Sequence, residues 1–88
     1  MAEVVIYTRD FCGYCIAAKA LLERKGVPFV EHDATGRPEI RAAMIQRSGG
    51  FTFPQIFIGP THVGGCTDLY DLEERGALDA LLAPEGAQ

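Results

Sequence analysis

Two cysteines three positions apart, where an apolar run gives way to an amphipathic one, constrain this chain more than any other feature. The stretch is Tyr7-Thr8-Arg9-Asp10-Phe11-Cys12-Gly13-Tyr14-Cys15. Val4-Val5-Ile6 before it reads as a strand, and Ile16-Ala17-Ala18-Lys19-Ala20-Leu21-Leu22 after it reads as a helix. The first thiol then lies just ahead of a helix, where unpaired backbone N–H groups and the macrodipole favour an anion. A thiolate is the nucleophilic form of cysteine, and a helix start draws its pKa down into the range of about 3.5–7.5. The second cysteine is near enough to attack a mixed disulfide formed at the first. The spacing therefore assigns Cys12 as attacking thiol and Cys15 as resolving thiol.

The chain has 88 residues, the size of one domain spanning 1–88, which is enough for one core without staples. Its net charge of −4 speaks against a nucleic-acid partner, which needs clustered Lys and Arg for phosphate contacts. No apolar run approaches the ~20 residues that span a bilayer, so no membrane association is expected. Met1-Ala2-Glu3 carries no basic n-region, so no secretory signal is expected. Three cysteines are an odd number and too few for a disulfide framework. A reducing cytoplasm is the expected setting.

Taken in order, Glu3–Tyr7 is expected as a strand buried on both faces. A helix follows over about residues 13–25, with Ala17, Ala18, Leu21 and Leu22 inward. Gly26 stops it, with Pro28 two residues on. Val27–Glu31 is read as a second strand, parallel to the first. Pro38 suits a first helical position, and a second helix covers roughly Glu39–Arg47 with Ile40, Ala43 and Met44 inward. Pro54–Ile58 and His62-Val63 are the third and fourth strands, joined by Gly59-Pro60-Thr61. Pro54 cannot donate to a ladder and must begin its strand or sit at an edge. Gly64-Gly65 makes a tight turn, and Thr67 or Asp68 caps a third helix. A short helix follows Gly76, and Pro84–Gln88 is expected to fray. Phe11, Phe29 and Phe57 are expected in the core or at its rim. Arg37, Arg41 and Arg47 are expected on a solvated helix face.

The order β-α-β-α-β-β-α, with Cys-x-x-Cys after the first strand and Thr-x-Pro before the third, resembles the thioredoxin fold, an α/β four-stranded mixed sheet flanked by helices. Within it the chain is most similar to the glutaredoxins, of the short bacterial dithiol type. Four segments carry the resemblance: Ile6-Tyr7-Thr8, Cys12-Gly13-Tyr14-Cys15, Thr52-Phe53-Pro54-Gln55-Ile56-Phe57-Ile58 and Gly64-Gly65-Cys66-Thr67-Asp68. The resemblance implies glutathione as co-substrate, and disulfide-bonded or glutathionylated proteins as partners. It implies a cis Pro54 beside the disulfide and a Phe53 backbone that pairs with the cysteine of the tripeptide. Amides near Cys66 and Thr67 are implied to take the γ-glutamyl carboxylate, and Asp68 its amino group. The implied glutathione site is Arg9, Tyr14, Thr52, Phe53, Pro54, Gly65, Cys66, Thr67 and Asp68, with Cys12 and Cys15 catalytic.

Elementary chemistry supports several of these roles. A Gly-Gly turn opening a helix offers N–H groups to a carboxylate. Asp68 is a natural counter-ion for an ammonium. Arg9, three residues before Cys12, suits the Cys12 thiolate or the glycyl carboxylate. Tyr14 is positioned to pack on the bound peptide.

Two departures from the family pattern stand out. Gly13 replaces the proline of Cys-Pro-Tyr-Cys and is expected to loosen the turn between the thiols. Some relatives with a small residue there bind a [2Fe–2S] cluster between two protomers, with Cys12 as the protein ligand. The chain is therefore expected to be a monomer, or a dimer if it carries a cluster. The second departure is Phe53, where valine is commoner.

Two further readings remain on the sequence. Cys12, Cys15, His62 and Cys66 together spell a Cys₃His zinc pattern. A glutaredoxin-like protein reduced by thioredoxin reductase would share the fold but lack the glutathione segment at 64–68.

Overall fold

The computed structural model describes residues 2–83. The elements run β1 (Val4–Thr8), α1 (Gly13–Arg24), β2 (Val30–Asp33), α2 (Pro38–Ser48), β3 (Gln55–Ile58), β4 (Thr61–Gly64), α3 (Cys66–Glu74) and α4 (Leu78–Leu82). The strands form one mixed sheet in the order β2-β1-β3-β4. β1 pairs parallel with β2, and both β1–β3 and β3–β4 are antiparallel. This is the thioredoxin-type arrangement expected from the sequence.

β1 is central, and all five of its residues are buried. The period of two along a strand sends alternate side chains to opposite faces. Val4 and Ile6 join Ile56 and Ile58 on one face, under Ala18, Leu21 and Leu22 of α1 and Leu69 of α3. Val5 and Tyr7 join Phe57 on the other, against Met44 of α2. The Tyr70 hydroxyl donates to the Ala17 carbonyl at 3.0 Å and ties α3 to α1. Lys25 bridges Glu73 and Asp79 at 2.9 and 2.8 Å, tying the end of α1 to α3 and α4.

Several expectations are corrected. The second strand lies at Val30–Asp33 instead of Val27–Glu31. The turn out of α1 consumes the intervening residues: Gly26 takes φ +71 and the Val27 N–H returns to the Leu22 carbonyl at 3.3 Å. In α2, Met44 is the buried residue, while Ala43 is exposed and Ile45 packs beside Met44. The helix rolls so that the 40, 44 and 45 positions meet the sheet. Phe11 belongs to neither core nor rim, because its side chain is fully exposed. The N-cap of α3 is Gly65 instead of Thr67 or Asp68; Asp68 contributes from the third helical position, where its carboxylate accepts the Gly65 N–H. The fraying expected at Pro84–Gln88 concerns residues outside the described ones.

Candidate active site

The chain leaves the sheet at the carboxyl end of β1 and turns through residues 9–12 into α1. The β2–α2 turn braces this loop: the Asp10 N–H donates to Thr35 Oγ1 at 2.7 Å, and the Thr35 N–H donates to Asp33 Oδ1 at 2.9 Å. Phe11 takes φ +57, a left-handed conformation that a bulky side chain rarely adopts. Cys12 follows as the N-cap of α1, with extended φ −118 and ψ 103.

At that position Cys12 Sγ accepts the Cys15 backbone N–H at 3.3 Å. Burial works against its ionisation. Hydrogen bonds from the Cys15 side chain and backbone, the Arg9 charge and the Tyr14 backbone outweigh it and hold Cys12 below the ordinary thiol range. Cys15 behaves oppositely. Burial first, then its hydrogen bond to Cys12, pushes it up to about 12. Two thiols of one motif are thus driven apart, one toward the anion and one held protonated. Gly13 is the first residue of α1, and its φ is not left-handed. Position 13 therefore has the backbone of an ordinary helix start.

Beside Cys12 runs a groove of about 380 Å³, lined by Tyr14, Thr52, Phe53, Pro54, Gln55, His62 and residues 64–68. Cys12 Sγ–H donates to the Phe53 carbonyl at 3.8 Å, and the Phe53–Pro54 bond is cis. At one end of the groove, Cys66 and Thr67 open α3, and the first N–H groups of a helix have no intrahelical acceptor. Asp68 Oδ2 accepts the Gly65 N–H at 2.9 Å. Gly64 has φ +112, and a Cβ there would collide with the Asp68 carboxylate, so only glycine fits. Cys66 is buried, and burial, then the charge of Cys12, raises its thiol pKa.

On the far side of Phe53 lies a second hollow of about 520 Å³, lined by Arg9, Tyr14, Arg41, Phe51, Thr52 and Phe53. It shares Tyr14, Thr52 and Phe53 with the first, so the two form one channel across the Phe53 backbone. Arg41 is exposed, as expected of a solvated helix face, and it also borders this hollow. Its place beside Arg9 comes from α2 lying over the sheet, a contact between distant segments that spacing does not encode. Arg47, by contrast, stacks its guanidinium 4.0 Å over the Phe57 ring, away from Cys12. Every site residue named from the sequence lies in one of these two hollows or at the thiol pair. The zinc pattern does not assemble: among the described residues no three His, Cys, Asp or Glu side chains converge to hold a metal ion.

The model of the family described as Glutaredoxin matches residues 4–63, two-thirds of the chain. The chain belongs to the glutaredoxin family. It is 58% identical to a Pseudomonas aeruginosa protein named glutaredoxin, over 94% of this chain and 99% of that one. It is similar to the solution structure of a Brucella melitensis glutaredoxin at 63% identity and a TM-score of 0.81, covering 93% of this chain and 89% of that one. A buckwheat glutaredoxin–glutathione complex superposes with a TM-score of 0.82 at 29% identity, covering 92% and 76%. Glutaredoxins are thiol–disulfide oxidoreductases, and the Cys12–Cys15 pair supplies the chemistry that this activity requires. Among the described residues no helix is long and apolar enough to cross a membrane.

Proposed function

We propose that this glutaredoxin is glutathione-dependent and acts on protein–glutathione mixed disulfides and protein disulfides. The observation that carries this reading is the polarity of the channel beside Cys12. Arg9 and Arg41 stand at one end, and the opening of α3 with Asp68 at the other. Glutathione has a lone carboxylate at its glycyl end and a carboxylate plus an ammonium at its γ-glutamyl end. The arginines suit the first, and the α3 amides and Asp68 suit the second. Between them the Phe53 backbone suits the central cysteine. Ionisation of Cys12 removes the S–H that donates to the Phe53 carbonyl and frees that oxygen for the peptide.

The Cys12 thiolate attacks the glutathione sulfur of a mixed disulfide. The Cys12–glutathione bond forms, the old S–S bond breaks, and the target thiolate leaves with the electron pair. A second glutathione thiolate then attacks the glutathione sulfur on Cys12, releasing oxidised glutathione and restoring the Cys12 thiolate. For a protein disulfide, the Cys12 thiolate attacks one of its sulfurs and one target thiolate leaves; Cys15 then gives up its proton and attacks Cys12 Sγ, the intramolecular disulfide closes, the second target thiolate leaves, and two glutathiones reduce the Cys12–Cys15 bond to give oxidised glutathione. Once Cys12 is in a disulfide it carries no charge, so its contribution to the raised Cys15 pKa disappears, leaving burial opposed by the backbone and charge of Arg9. The need for excess reduced glutathione makes a reducing cytoplasm the fitting compartment.

Turnover of a glutathionylated peptide with glutathione and glutathione reductase, compared with thioredoxin reductase, tests the reading. Activity with the first pair alone supports it, and activity with thioredoxin reductase alone refutes it. A second reading, a [2Fe–2S] carrier bridged between two protomers, draws on Gly13. A Cβ there meets nothing within 4 Å, so the space beside position 13 is open. The chain by itself offers such a cluster one thiolate ligand, Cys12. Dimerisation on anaerobic iron and sulfide loading in the presence of glutathione is the measurement that supports it.

A further inference from the structure

We propose that His62 is a positioning residue for the glutathione groove, acting through Gln55 on the Thr52–Phe53 backbone. The inference rests on the glutathione reading above.

The wall of the groove at residues 51–53 belongs to no helix or strand, and it makes no backbone–backbone hydrogen bond among the described residues. Side chains hold it instead. Before it, Ser48 Oγ accepts the Gly50 N–H at 3.0 Å. After it, Gln55 Nε2 donates to the Thr52 carbonyl at 3.0 Å and to Thr52 Oγ1 at 3.2 Å. Gln55 is 5% exposed, so its amide is committed to protein partners. Position 50 is glycine where a Cβ would come within 3.0 Å of Gln55 Nε2. The main chain is cut back to admit this clasp.

The other end of the Gln55 amide meets His62. The two side chains approach to 2.7 Å between Nε2 and Oε1. The Thr52 carbonyl accepts only, so the amide nitrogen faces it and the amide oxygen faces His62. The proton of that bond therefore sits on His62 Nε2. The imidazole is itself fixed by stacking on Phe57, with ring centroids 4.8 Å apart and planes 24° apart. Arg47 lies against Phe57 as well. An exposed histidine thus orients a buried amide, which in turn orients Thr52 and Phe53, two of the three residues that border both hollows.

His62→Phe keeps an aromatic ring for Phe57 and removes the donor. His62→Gln restores an N–H at similar reach. Two quantities are read: kcat and KM for a glutathionylated peptide, and amide hydrogen exchange at Thr52 and Phe53 in the free protein, with Val5–Tyr7 as the folded reference. The expected result for His62→Phe is a KM about tenfold higher, kcat within about twofold of wild type, and faster exchange at Thr52 and Phe53. His62→Gln is expected to recover both. Wild-type KM and wild-type exchange in His62→Phe overturn the proposal, as does an equal fall in kcat and kcat/KM. Should His62→Phe fail to fold, His62→Ala takes its place with the same expectations. If the wild-type protein does not turn over the peptide, the glutathione reading fails, and the exchange comparison still judges the clasp.

Discussion

Cys15 points its backbone N–H at Cys12 Sγ from 3.3 Å, while its own thiol is pushed up to about 12. The residue whose amide helps make its neighbour an anion is itself kept neutral, by burial first and then by its thiol's own hydrogen bond with Cys12. The two cysteines are therefore unequal before any substrate arrives.

That inequality sets the expected outcome of removing each one. Cys12→Ser should reduce glutathione-coupled turnover to the background rate. Cys15→Ser should keep removal of glutathione from peptides while losing reduction of intramolecular protein disulfides. Steady-state assays on both substrates check this, and full activity in Cys12→Ser would refute the assignment of the nucleophile.

Gly13→Pro should stabilise the protein by about 0.4–1 kcal/mol, through a less mobile unfolded chain. Position 13 is the first of α1, where proline is favoured, and Cys12 already has the extended backbone that proline imposes on its predecessor. Thiolate stabilisation should survive, because the amides that hold Cys12 belong to Tyr14 and Cys15. Chemical denaturation and thiol alkylation rates measure the two halves of this expectation.

Phe11→Gly should also stabilise, by roughly 0.5–1 kcal/mol. The native φ of +57 costs a bulky residue energy and costs glycine almost none, and the fully exposed ring buries nothing in return. In a domain of this size that is a rise of about 2–8 °C in Tm. An unchanged or lower Tm contradicts it.

The charged ends of the channel separate binding from chemistry. Arg41→Gln should raise KM for the glutathionylated peptide about two- to fivefold and leave kcat near wild type, as expected for one solvent-accessible charge contact. Asp68→Asn should raise KM more, about tenfold or beyond, because it removes the only carboxylate that lines the α3 end among the described residues. Equal KM values for both variants and wild type would remove the argument from channel polarity.

How much of this was legible in the sequence follows from how far each feature reaches along the chain. The thiol pair, Pro54 before its strand, and the Gly64-Gly65 turn into α3 are local, and spacing alone encodes them. β1 with both faces buried was legible for the same reason. Arg41 was not, because nothing near it in sequence marks that α2 carries it over to Arg9. The bond between His62 and Gln55 depends on the β3–β4 register, which slips between Ile56 and Phe57. Hydrophobicity argues for burying Phe11, and only the backbone reveals that the loop turns it outward. The displacement of β2 by about three residues came from an α1 exit that is longer than Gly26 and Pro28 suggest.

The most direct test of the account is the pH dependence of thiol alkylation in the wild-type protein. Cys15 does not ionise until about 12, so Cys12 alone should react through neutral pH, with an apparent pKa below the ordinary 9.0. Stability should carry the matching sign. A lowered Cys12 pKa contributes stability that is present above 9.0 and lost as pH falls through the folded value. A raised Cys15 pKa contributes stability that is present below 9.0 and lost as pH climbs toward about 12. The account predicts one reactive thiol at neutral pH, mapped to residue 12. Two thiols titrating together near 9, or a Cys12 unreactive at neutral pH, would contradict it.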